Sequence, residues 1–62
     1  MNIEIKMTDG TLALVNWGNV DYVCVASTCL GEKYNEIHFA GKGASIDTKE
    51  TIADIKKKLA ND

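Results

Sequence analysis

The sequence predicts an α+β fold: an antiparallel meander of four to five strands, as a sheet or a small open barrel, with one C-terminal amphipathic helix. Three observations carry this. Ile3, Ile5 and Met7 alternate with Glu4 and Lys6, the period-two pattern of a half-buried strand. Asp9-Gly10 and Gly41-Lys42-Gly43 are short turn signals between apolar runs. Links of that length join antiparallel neighbours, because parallel strands need long crossovers. Ile52, Ile55 and Leu59 then fall at i, i+3 and i+7, one apolar stripe of a helix. The 62 residues make one domain, spanning 1–62. A chain of this size buries about 60% of its unfolded surface, so its core is small.

The elements follow in order. After the first strand, Asp9-Gly10 predicts a tight two-residue hairpin, in which both central positions take positive φ. Leu12 to Val15 is the second strand, and Asn16-Trp17-Gly18-Asn19 is a break of turn-forming residues. Val20 to Ala26 is the third strand, with Val23 and Val25 on one face and Tyr22, Cys24 and Ala26 on the other. Both faces are apolar, which predicts a central strand or one covered by a partner. Ser27 to Asn35 reads as the longest connection. Glu36 to Ala40 is the fourth strand, with Ile37 and Phe39 opposite Glu36 and His38, and Ala44 to Thr48 is the fifth. The helix covers roughly residues 50–60, and Thr51 and Asp54 have capping-box spacing with Asp in place of Glu or Gln.

Charge bounds the partners. Nine acids outnumber seven basic residues, all of them lysine, for a formal charge of −2. Specific readers of phosphate and guanine favour the planar arginine fork, so its absence argues against nucleic acid as a partner. Lys56-Lys57-Lys58 reads as a solvated helix face. The N-terminus lacks the apolar run of a signal peptide, and no segment has the length and apolarity of a membrane span. Two cysteines in that setting predict a reduced, cytoplasmic environment.

The residues that bear chemistry form no catalytic set. Cys24, Cys29 and His38 supply at most three zinc ligands, without the paired Cys-x2–4-Cys spacing, so no metal site is expected. His38 has no nucleophile or orienting carboxylate at motif spacing. Gly41-Lys42-Gly43 joins two strands and is not a phosphate loop, which needs a strand before it and a helix after. The chain therefore reads as a non-enzyme without cofactor. Trp17 and Tyr22 are the aromatic anchors that an interface would use, and Trp17 reads equally as a lid over the small core. His38 and Lys42 complete the candidate binding residues.

Gly10, Val15-Asn16, Val20, Ile37 and Phe39, followed by Ile46-Asp47-Thr48-Lys49-Glu50-Thr51 before the helix, resemble the small flagellar and swarming-motility (FlbD-like) family. That resemblance implies a small β+α interaction protein with no cofactor. Gly10-Thr11-Leu12 and the Ser45 to Glu50 approach to the helix are also similar to the carbon storage regulator dimers, which have five strands and a terminal helix. Those dimers contact RNA through arginines, and here Lys6 and Lys49 stand near the corresponding places, so the RNA function does not carry over.

The leading expectation is a non-enzymatic binding or adaptor protein acting through protein contact, in a phage-like or motility setting, and forming a homodimer or higher homo-oligomer. The alternative from another class is an oligomer that sequesters a small anionic, nucleotide-type ligand at its subunit interfaces. Trp17 or Tyr22 would stack the base and Lys42 would hold the phosphate. RNA regulation stands third.

Overall fold

The computed structural model describes residues 1–41 and 43–61, so Lys42 lies outside the described residues. The chain runs β1 (Asn2–Lys6), β2 (Leu12–Asn16), a 3-10 turn (Trp17–Asn19), β3 (Val20–Ser27), β4 (Lys33–Phe39), β5 (Ser45–Thr48) and α1 (Ile52–Ala60). All strand pairs are antiparallel, and they form two sheets, β1-β2 and β3-β4-β5, which do not close into a barrel. The α+β architecture with one C-terminal helix is therefore as the sequence predicts.

The meander is interrupted after β2. Asn16 Oδ1 accepts the Gly18 N–H at 3.1 Å, and the Val20 N–H donates to the Trp17 carbonyl. This 3-10 turn carries the chain into the second sheet instead of folding it back beside β2. β3 is consequently an edge strand and not the central strand that its two apolar faces predicted; β4 holds the centre. The second apolar face of β3 is accounted for by its neighbour, because Tyr22 and Cys24 lie opposite His38 and Glu36 of β4. A bulge between Val20 and Tyr22 resets the alternation, so Val20 and Val23 both reach the core.

Two turns differ from expectation in an informative way. The first hairpin has a three-residue loop, with the Met7 N–H donating to Thr11 O at 2.8 Å and the Gly10 N–H to Met7 O at 2.9 Å. Only Gly10 takes positive φ, at 90°, so Asp9 is spared the left-handed region. Asp9 instead accepts the Thr11 N–H at 2.9 Å and the Thr11 hydroxyl at 2.6 Å. The connection read as Ser27 to Asn35 is built the same way. The Thr28 N–H donates to Glu32 O at 2.8 Å and the Gly31 N–H to Thr28 O at 2.9 Å, with Gly31 at φ 85°. Lys33, Tyr34 and Asn35 thus belong to β4. Asn35 fills an inward slot where the alternation calls for an apolar residue, and its Nδ2 donates to Glu50 O at 2.8 Å.

Ile3, Ile5, Val15, Ile37 and Ile55 form the buried core. Ala13, Trp17, Val20, Val23, Phe39, Ile46 and Leu59 pack around it. α1 contributes through Ile55 and Leu59, while Ile52 stays 40% exposed. Its start is fixed by the capping box: Thr51 Oγ1 accepts the Asp54 N–H, and the Asp54 carboxylate accepts the Thr51 N–H. Among the described residues no helix is long and apolar enough to cross a membrane.

The two sheets are joined at one place. Met7 bridges Thr48, and the Thr8 N–H donates to Asp47 O at 3.1 Å. Thr48 is fully buried, and its hydroxyl donates to Lys6 O at 2.6 Å while accepting the Glu50 N–H at 3.0 Å. Glu50 Oε2 accepts the Lys6 N–H at 2.8 Å. Lys58 Nζ donates to Glu4 O at 2.6 Å and pairs with Glu50 Oε1. Lys58 is therefore tied into the fold, and only Lys56 and Lys57 of the lysine run are exposed. These side chains cover the Glu4–Lys6 end of the outer edge of β1.

Thr48→Val keeps the approximate shape but strips the Lys6 carbonyl and the Glu50 N–H of their partner. A loss of about 1–3 kcal/mol in unfolding free energy is expected in a urea titration. The helix start makes a second prediction. Hydrogen bonds from the Thr51 backbone and then its side chain hold the Asp54 carboxyl below its usual range. A lowered folded value stabilises the fold above the unfolded value of roughly pH 4 and loses that contribution as the pH falls through the folded value. Helical circular dichroism should therefore fall in acid, and the Asp54 part of that fall should vanish in Asp54→Asn.

Candidate functional site

The outer face of β3-β4-β5 collects the residues of the opposite alternation. β3 supplies Tyr22, Cys24 and Ala26; β4 supplies Tyr34, Glu36 and His38; β5 supplies Ser45 and Asp47. Register sets Cys24 directly opposite Glu36, and His38 is its diagonal neighbour, within the reach of long side chains. The side chains converge. Cys24 Sγ lies 3.7 Å from Glu36 Oε1 and 3.7 Å from His38 Nε2, and His38 Nε2 lies 3.1 Å from Glu36 Oε1. The Tyr34 hydroxyl donates to Glu36 Oε2 at 3.3 Å. Tyr22 stacks on His38 with ring centroids 4.4 Å apart and planes 11° from parallel. The His38 and Glu36 side chains are 27% and 29% exposed, so the cluster is ordered by neighbours yet open to solvent.

Glu36 is the hub. The His38 hydrogen bond, helped by those from Tyr34 and Cys24, holds its carboxyl below the usual range against partial burial. Burial first, and then the Glu36 charge, push the Cys24 thiol up. Burial and the Glu36 and Asp47 charges do the same to Tyr34. Three donors thus face one ionised carboxylate. This does not make an activated nucleophile. A cysteine–histidine–acid relay uses one ring nitrogen for the thiol and the other for the acid. Here Nε2 meets both, and the raised thiol is protonated at neutral pH.

Of the candidate binding residues, Tyr22 and His38 are brought together. Trp17 is on the other side of the sheet, half-buried against the core, and lines an apolar cavity with Val23 and with Ile55 and Leu59 of α1. Lys42 lies outside the described residues. Cys29 is exposed in the β3–β4 turn, apart from the cluster, and both cysteines are free thiols. The residue that sequence reasoning missed is Glu36. Its signal was present, since Glu36 and His38 share a strand face, but only the register of β3 against β4 places Cys24 beside them.

A second surface lies at the edge of the first sheet. The Trp17 N–H donates to Met1 O and the Met7 N–H to Thr11 O, so the β1-β2 hydrogen bonds run through the odd residues of β2. The N–H and C=O groups of Leu12 and Leu14 therefore point away from β1, and no described strand pairs with them. The Leu12 and Leu14 side chains are 63% and 73% exposed. Beside this edge an apolar groove of about 300 Å³ runs between Leu14 and Val15 on one wall and Phe39 and Ile46 on the other.

Comparison with family models, with curated proteins and with solved structures returned no match.

The two thiols should differ in reactivity. At neutral pH, Cys29→Ser leaves the slow thiol and Cys24→Ser the fast one, read by a colorimetric thiol reagent. Glu36→Gln removes the charge that raises the Cys24 thiol. In the Cys29→Ser background it should speed Cys24 labelling several-fold at unchanged exposure.

Proposed function

We propose that this protein is a non-enzymatic binding module that captures an extended segment of another protein by strand addition to β2. The single observation that carries this is the free edge of β2. An unpaired edge is a template for another strand, and native proteins usually blunt it with charge, proline or a bulge. Leu12-Ala13-Leu14-Val15-Asn16 contains no charge and no proline. On the opposite edge of its sheet, Thr48, Glu50 and Lys58 bond the Glu4 carbonyl and both Lys6 backbone groups of β1. One edge is partly bonded by side chains and the other is left open with two leucines on it.

The groove specifies the occupant. A strand laid on β2 sends every second side chain toward Phe39 and Ile46, which fits an apolar residue at alternate positions. Main-chain hydrogen bonds supply affinity, and the groove supplies selectivity. The resemblance to small motility-associated interaction proteins agrees with a role by contact. A nucleotide pocket within one chain is not favoured, because Trp17 covers the core and Tyr22 already stacks on His38.

Selection from a library of ten-residue displayed peptides should return extended sequences with alternating apolar residues. Bound peptide should protect the Leu12, Leu14 and Asn16 amides from hydrogen exchange. Leu14→Lys should weaken the selected peptide at least about tenfold, since burying a leucine is worth about 1.5–3 kcal/mol. Protection confined to α1, or failure to select any peptide, would overturn the reading. Sedimentation showing a dimer whose β2 amides are already protected would also overturn it, by giving that edge to a second copy.

A further inference from the structure

We propose that Cys24, Glu36 and His38 form a binding site for a zinc-type divalent metal ion, held by Cys24 Sγ, Glu36 Oε1 and His38 Nε2, with the fourth position open to solvent. The site lies on the outer face of β3-β4-β5 and is independent of the β2 edge. It reverses the expectation of no metal, which rested on Cys24, Cys29 and His38; the structure replaces Cys29 by Glu36.

Geometry is the first argument. These three ligand atoms lie within 4.8 Å of one another. Around a tetrahedral zinc, bond lengths of about 2.3 Å to sulfur and about 2.0–2.1 Å to nitrogen or oxygen put sulfur about 3.6 Å from either light atom. The same bond lengths put nitrogen and oxygen about 3.3 Å apart. The observed edges are 3.7, 3.7 and 3.1 Å. An ion can therefore be seated with side-chain shifts of a few tenths of an ångström.

Donor chemistry is the second. One sulfur, one imidazole nitrogen and one carboxylate oxygen suit zinc and cobalt, whereas magnesium and calcium take oxygen shells. The sulfur binds as thiolate, its proton passing to solvent as the metal–sulfur bond forms. The His38 ring binds neutral through Nε2, with its proton on Nδ1.

The surrounding residues are the third. Ligating groups need partners that orient them. Tyr34 holds Glu36 Oε2, which leaves Oε1 for the ion, and Tyr22 fixes the His38 ring plane by stacking. Two paired strands present all three ligands, a more rigid frame than a loop. The partial exposure of Glu36 and His38 gives the ion a path in.

The test is a titration of the reduced 62-residue chain with cobalt(II), followed by displacement with zinc. The expected result is one ion per chain, with a thiolate-to-cobalt charge-transfer band that zinc abolishes. Cys24→Ser should remove the band. Glu36→Gln and His38→Gln should each weaken cobalt at least tenfold, and Tyr34→Phe about tenfold through its hold on Glu36. Cys29→Ser should leave the titration unchanged. Circular dichroism checks the fold of each variant, and if Cys24→Ser unfolds, the Glu36→Gln and His38→Gln titrations decide. Absence of the band overturns the proposal. So does a band that survives Cys24→Ser and disappears in Cys29→Ser, which would assign cobalt to the exposed turn thiol.

Discussion

The hydroxyl of Thr48 is the constraint on which the rest of the structure depends. The chain makes two small sheets, and the two-stranded one is at best marginal alone in water. The Thr48 hydroxyl donates to β1 and accepts from the Glu50 backbone, so one buried oxygen joins both sheets and sets the approach to α1. Glu50 then closes the Lys6 N–H and receives Lys58. A valine would fill the space but not the valences. Because these polar groups are shielded from water, the penalty for leaving one unpaired exceeds the modest net gain of an ordinary hydrogen bond.

That join also divides the molecule's surfaces by role. With the Glu4 and Lys6 end of β1 bonded by side chains from the C-terminal third, the edge of the first sheet that no described strand or side chain covers along its length is that of β2. With Val23 of β3 and Ile37 and Phe39 of β4 committed to the core, the outward residues of these strands are free to be chemical: a thiol, a carboxylate, an imidazole and two phenols. A face of this kind is costly in a small protein, since half-buried polar groups must find partners. Here they find one another around Glu36.

Much of the fold was legible in the sequence because period and punctuation agree. Ile3 and Ile5 alternate cleanly and are buried; Thr51 and Asp54 form the capping box; Ile55 and Leu59 face the core. The readings that failed share one cause. β3 was placed centrally because both its faces are apolar, yet a histidine and a glutamate across the register cover one of them. The start of β4 was lost because Asn35 occupies an inward position, and a buried amide gives no apolar signal. With that start lost, the register was lost too, and with it the meeting of Cys24, Glu36 and His38. Local pattern reports which face a residue takes, whereas the site depends on which strand stands beside it.

The Thr48–Lys6 contact spans 42 residues of a short chain. Each hairpin can form from local pairs, but this join needs the two ends of the sequence to meet, and the entropy of closing so long a loop is paid before any contact across it is rewarded. It should therefore belong to the final stage of folding, after both hairpins have turned. An interaction made after the folding barrier acts as a latch: weakening it hastens opening and leaves the rate of assembly nearly unchanged. The contacts that join the ends of this chain, the Thr48 hydroxyl among them, should therefore bear on the lifetime of the folded state more than on the speed of reaching it.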